Sequence, residues 1–200
     1  MPDSDDGTLI KSILDGDVAA FEKLIRRYQR AVWGMVHRTL DHSAEAEDAV
    51  QETFIRAYTS LKRFDRRCPF GPWVLRIAAN YCIDQLRRRK TRKQILWSEL
   101  SETEQKRLLE TLTGDGGKEF QATADAERFA PLIRSLLDEL NPKHRMAFVL
   151  RELEGRSYNQ VAEILGTYNG SARVRVARAR ADLQNRFHRH MNGIGRRETL

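Results

Sequence analysis

Apolar residues recur at three- and four-residue intervals along most of the chain, and runs that alternate every second residue are nearly absent, so the pattern predicts an all-α fold. Phe21, Leu24, Ile25, Tyr28, Val32, Met35 and Val36 form one stripe of a helix from about Asp17 to Leu40, with Asp17 available as its N-cap. "DHS" interrupts that pattern. Ser43 can then cap a second helix reaching about Leu61, whose inward positions are Ala49, Val50, Thr53, Phe54, Ala57 and Leu61. "KRFDRRCPFGP" reads as an irregular basic loop, and a third helix opens near Trp73 and runs into "QLRRRKTRK". From Thr91 to about Ala126 the periodicity weakens, and "LTGDGGKEF" has the composition of a flexible connection. Two small helical domains are therefore expected, 1–92 and 127–190, with a flexible linker over 93–126 and a frayed tail over 191–200.

The second half carries sharper start and stop signals. A helix ends near Leu140, Asn141 suits an N-cap, Pro142 the first helical position, and Gly155 the stop. Ser157 followed by Gln160 makes a capping box for a helix that buries Val161, Ile164 and Leu165 and ends at Gly166. After the turn "TYNG" comes "NGSARVRVARARADL", which alternates arginine with apolar residues like a half-buried strand. The alternation of Ala172, Val174 and Val176 fails at Arg178, and Ala177 falls on the polar side. At 100° per residue, by contrast, Ala172, Val176, Ala179, Leu183 and Phe187 fall on one stripe, so the segment is a helix. Arg175, Arg178, Arg186 and Arg189 are expected to point away from the core, with Arg173 and Arg180 at its flank. Helix, tight glycine turn, helix is the order of a helix-turn-helix, and cations on two sides suit a helix lying between phosphate walls.

Composition agrees with that reading. The 200 residues carry a formal net charge of +7, which favours a polyanionic partner. No apolar run approaches the roughly 18 residues that span a bilayer, and the acidic start "MPDSDDGTL" is unlike a signal peptide, so the expectation is a cytoplasmic protein without membrane insertion. Cys68 and Cys82 form no CxxC pair and read as packing residues; His188 and His190 lack the spacing of a helical metal site, and no metal or other cofactor is expected.

Two surfaces in the first half call for partners. On the second helix Glu45, Asp48, Glu52, Ile55 and Thr59 lie opposite or beside the core stripe, with Arg56 among them. This acidic face would repel phosphate but suits a basic protein surface, Ile55 serving as apolar anchor. A solvated face with one stray isoleucine is the alternative. On the third helix Arg76, Asn80, Ile83 and Arg87 form an outward basic strip that "RRRK", including Arg88, continues. The loop residues Phe64, Arg66 and Arg67, with Trp73, supply side chains that stack on unpaired bases; hydrophobic core is the alternative for Trp73 and Phe70.

These motifs together resemble the extracytoplasmic-function group of bacterial sigma factors within the sigma-seventy family. "DAVQETFIRAYTSLKRF" is similar to the family's core-polymerase-binding helix, and "GPWVLRIAANYCIDQLRRR" to the helix that reads the minus-ten element. "LNPKHRMAFVLRELEGRSYNQVAEILG" with "NGSARVRVARARADL" resembles the helix-turn-helix that reads the minus-thirty-five element. The resemblance implies a non-enzymatic initiation factor that binds core RNA polymerase, at its beta-prime clamp and beta subunits, and promoter DNA, with an anti-sigma factor among its partners. It places Glu45, Asp48, Gln51, Glu52, Ile55 and Thr59 on the polymerase. Phe64, Arg66, Arg67, Trp73, Arg76, Asn80, Ile83, Arg87 and Arg88 fall at the melting site, where a flipped base would be captured. Ser157, Tyr158, Ser171, Arg173, Val174, Arg175 and Arg178 fall on the upstream element. Where the family commonly has Gly-Thr-Val-Lys-Ser-Arg, this chain has Gly170, Ser171, Ala172, Arg173, Val174 and Arg175, and Tyr168 stands where a proline is frequent. Two rivals remain: a helix-turn-helix regulator that never joins the polymerase, and, more weakly, a metal-dependent nuclease using Asp48, Glu52 and Asp84.

Overall fold

The computed structural model describes residues 4–40, 43–88 and 135–194. Among them the chain forms seven α-helices and no strand. The first domain holds α1 (Ser4–Leu14), α2 (Val18–Thr39), α3 (Ser43–Ser60) with a 3₁₀ turn at Leu61–Arg63, and α4 (Phe70–Arg88). In the second domain, helical residues 135–138 precede α5 (Pro142–Phe148), a π-helical turn (Val149–Leu153), α6 (Tyr158–Leu165) and α7 (Asn169–Ile194). The expected linker at 93–126 lies outside the described residues.

Helix ends follow the local chemistry. Asp17 caps α2 by accepting from the Ala20 N–H at 3.2 Å, and Asn141 caps α5 by accepting from Lys143 at 3.0 Å. Both halves of the Ser157–Gln160 box are made, at 3.3 and 2.9 Å. Gly166 closes α6 in the left-handed region, at φ 59°, where glycine carries no steric penalty. Gly71 has a different purpose: a Cβ there would lie 2.9 Å from the Tyr28 ring, so its absence lets the first turn of α4 seat against α2.

Several expectations need correction. A helix that the periodicity did not single out, α1, buries Leu9, Ile10 and Ile13, and its Asp6 binds Arg27 and Tyr28 of α2. α4 begins at Phe70, not near Trp73, because Phe70 is itself a core residue at 2% exposure. Cys82 is buried as expected, but Cys68 is exposed in the loop. α7 continues through residues assigned to the tail, as far as Ile194.

The two domains pack against each other. α4 lies against α5 and α6, α2 meets the π turn, and one apolar cluster runs from Ile10 and Leu24 through Val74 and Ala78 to Met146, Val161, Ile164 and Val176. No described helix is long and apolar enough to cross a membrane.

The helical reading of 169–187 makes opposite forecasts for two neighbours, since Ala179 is fully buried and Val174 is 48% exposed. Ala179→Lys should destabilise the chain by about 3 kcal/mol or more, and Val174→Lys should stay within about 0.5 kcal/mol. Urea denaturation midpoints of the two variants check this; a strand would reverse their order.

Candidate nucleic-acid interface and polymerase-facing surface

On α3, Glu45, Asp48, Gln51, Ile55 and Thr59 are exposed, and Ile55 shows 57% of its surface. Glu52 is half-buried and takes a 2.6 Å bond from Arg56 Nε; Arg56 also lies 5.0 Å from the Tyr81 ring centroid. Tyr58, which periodicity alone did not single out, is 42% exposed and packs edge-on against Phe21 beside this face.

The α4 strip is only partly free. Asn80, Arg87 and Arg88 are exposed, Arg87 being held to Asp84 at 2.9 Å. Ile83, expected to point outward, is buried at 7% within the shared core; α4 packs on two sides, which single-helix periodicity does not register. Arg76 reaches across the domain boundary, donating to the Glu163 carbonyl at 2.5 Å and lying against Gly166. In the preceding loop Arg66 and Arg67 are exposed, and Arg67 forks onto Asp65 at 2.9 to 3.2 Å, a contact that holds the Asp65 carboxyl below its ordinary pKa. Phe64 is not available for stacking on a base in this arrangement. It is buried at 8% between Phe70 and Trp73, with centroids 5.8 and 4.7 Å away, and Trp73 is half-buried in the same cluster.

α7 presents its outer side freely. Arg173, Val174 and Arg178 are exposed, Ser171 and Arg175 half-buried, and Tyr168 at the turn is 85% exposed. The arginines divide by partner. Arg180 is paired with Glu152 at 3.0 Å and Arg186 with Glu139, so Arg186 faces the body of the domain where it was expected to face away. Ser157 is committed to its capping box, and half-buried Tyr158 lies under two guanidinium groups, Arg151 at 4.7 Å and Arg173 at 4.6 Å from its centroid. Arg151 was not foreseen, because nothing in its local sequence separates it from any other helical arginine.

Beneath this surface His144 sits 3.9 Å from Asp182. Burial holds its pKa below the ordinary 6.5; Arg178 and Arg175 add to that, and Asp182 opposes it. Among the described residues, His, Cys, Asp and Glu side chains do not gather in groups of three or more.

Comparison with known proteins finds matches for both halves of the chain. The Sigma-70 region 2 family model matches residues 24–92, and the Sigma-70, region 4 model matches 131–183. The chain is 31% identical over 178 residues to the ECF RNA polymerase sigma factor SigW of Bacillus subtilis, covering 89% of this chain and 94% of that protein. It is 32% identical over 186 residues to the ECF RNA polymerase sigma-E factor of Haemophilus influenzae, covering 91% and 95%. Among solved structures, CnrH in complex with the cytosolic domain of CnrY shares the fold at TM-score 0.60 and 24% identity, with 91% and 96% covered. The sigma factor RpoE of Bartonella quintana, in complex with the anti-sigma factor NepR, does so at 0.53 and 24%, with 84% and 96% covered. The chain belongs to the sigma-70 family, in its extracytoplasmic-function group, and is an RNA polymerase sigma factor.

The depressed His144 pKa sets the sign of one pH effect. A group that binds its proton less readily when folded contributes stability that is full above the unfolded value, near 6.5, and is lost as pH falls through the folded value. The urea midpoint should therefore fall between pH 7 and pH 5, and His144→Gln should reduce that fall. An equal slope in the variant would remove His144 as its source.

Proposed function

We propose that the chain docks core RNA polymerase with the acidic side of α3 and directs it to a two-part promoter. α4 and the loop before it engage the melting element, and the helix-turn-helix of α6 and α7 reads the upstream one. What supports this most is the separation of charge: exposed Ile55 among carboxylates on α3, and exposed arginines on α7 behind a capped helix and a left-handed glycine turn. Glu45, Asp48, Gln51, Glu52, Ile55 and Thr59 face the beta-prime clamp, with Tyr58 extending the apolar contact. Asn80, Arg87, Arg88, Arg66 and Arg67 line the downstream DNA. Ser171, Arg173, Val174, Arg175 and Arg178 face the upstream groove, while Ser157 and Tyr158 shape its edge. No bond is made or broken by the chain itself. Anti-sigma partners fit the reading, since two proteins of the same fold were solved with theirs or with a cytosolic domain bound.

Arg76 bonds to the carbonyl of Glu163 in the packed form, so DNA along the α4 strip requires α4 and α6 to part. The packed arrangement is read as the form free of polymerase. The chain alone should bind a promoter duplex about a hundredfold or more weaker than the holoenzyme, which supplies both contacts at once.

Run-off transcription with purified core polymerase tests the central claim. Adding the chain should give promoter-specific starts on genomic templates; no start, combined with tight binding of the isolated chain to a palindromic site, would instead identify a polymerase-independent regulator.

For the docking surface, Ile55→Asp should lower core affinity by about tenfold or more with helicity unchanged. Normal affinity in that variant would move the interface elsewhere.

A further inference from the structure

His144 of α5 lies against the side of α7, behind its outer surface. Its side chain is 18% exposed, and its Nδ1 is buried without a hydrogen-bond partner, 3.9 Å from the Asp182 carboxylate. Asp182 is the last member of a short stripe on α7: Arg175, Arg178 and Asp182 stand at i, i+3 and i+7 and so share one side of the helix. These three are the charged groups that act on His144. Among the described residues α4 and the π turn, which also pack on α5, bring none to it. On its own helix Lys143 is exposed, and Arg145 is committed to Asp138 and the Thr39 carbonyl.

The stripe connects the buried ring to the surface proposed for DNA. Arg180 and Arg186 carry carboxylate partners, whereas among the described residues neither Arg175 nor Arg178 has a carboxylate within ion-pairing distance. Burial and these two uncompensated cations hold the ring neutral in the free chain. Phosphates set against Arg175 and Arg178 offset both positive charges, while Asp182, half-buried on the same stripe, stays in place. The balance around the ring then changes sign, and because the ring is largely buried, salt screens that change weakly. A neutral imidazole leaves Nδ1 unpaired. A protonated one carries a hydrogen on each nitrogen and has the Asp182 carboxylate to receive the one on Nδ1.

We propose that upstream promoter DNA and a proton on His144 bind cooperatively, so that the chain takes up a proton as α7 engages the DNA and mild acidity tightens that contact. The inference rests on the upstream-reading role assigned to α7. Coupling between two binding events is reciprocal, and the affinity therefore rises by up to about tenfold for each pH unit that separates the titration of the ring in the free and DNA-bound forms. The proton that costs stability in the free chain is matched by phosphate charge in the bound one.

The test uses holoenzyme assembled with the full chain and a duplex that it selects from a library randomised over the upstream element. At constant ionic strength the wild type should bind that duplex about threefold or more tightly at pH 6 than at pH 8. His144→Gln should match the wild type at pH 8 and lose the gain at pH 6, since core polymerase and every other histidine are unchanged. A second readout needs no variant: in the full chain with isotope-labelled histidine, the His144 ring signal should titrate at a higher pH with the duplex than without it. Circular dichroism checks the folding of His144→Gln, and the ring titration decides if that variant does not fold. An equal gain in folded His144→Gln overturns the inference and moves the effect to another group, such as exposed His188. A His144 titration that the duplex leaves in place overturns it too. If the holoenzyme selects no upstream element, the reading of α7 fails and the inference falls with it; a selected element bound equally at both pH values sinks the inference alone.

Discussion

The packing of the two domains turns on one buried cation. Arg145 in α5 is 2% exposed; it binds Asp138 on its own domain, and its Nη2 donates to the Thr39 carbonyl at 2.6 Å. That carbonyl is one of the last of α2, where no further helical turn exists to satisfy it. An arginine cannot shed its proton on burial, so its charge must be paired, and removing a partner from such a pair costs about 3–5 kcal/mol. The end of α2 and the start of α5 therefore satisfy each other. Met146 follows Arg145 into the shared core, and Thr39 Oγ1, which donates to the Met35 carbonyl at 2.7 Å, lies in van der Waals reach of the Met146 sulfur.

Polar links at the rim fix how the remaining surfaces meet. Arg38 pairs with Glu154 just past the π turn, and Arg76 reaches the end of α6. Between them the apolar faces of α4, α5 and α6 close into a single core. Apart from the buried Arg145, the polar links between the domains lie at the rim, where solvent replaces them at little net cost.

The consequence for recognition is unequal. The α3 face and the outer side of α7 are exposed in the packed form, whereas the α4 strip is engaged at Arg76 and buried at Ile83. The surfaces proposed for polymerase and for upstream DNA are therefore open in the packed form, and the one proposed for the melting element is not.

Much of this architecture was legible in the residues themselves. The stripe Ala172, Val176, Ala179, Leu183 and Phe187, the Ser157–Gln160 box, the Asn141–Pro142 start and the Gly166 stop are local devices, determined within one or two helical turns, and each forms as read. The charge separation between α3 and α7 is likewise a property of single helices. What sequence could not supply were contacts between residues far apart in the chain: Arg76 to Glu163, Arg38 to Glu154, Arg145 to Thr39. Ile83 and Phe64 were misjudged for the same reason, since a helical wheel registers one buried side and neither a second helix nor a neighbouring ring. α1 was missed because its polar first turn hides a short apolar stripe that gains its stability from α2. Periodicity and capping chemistry determined the helices and the charged faces they carry. Tertiary structure alone decided which of those faces are free, because burial of a side chain depends on every element packed around it.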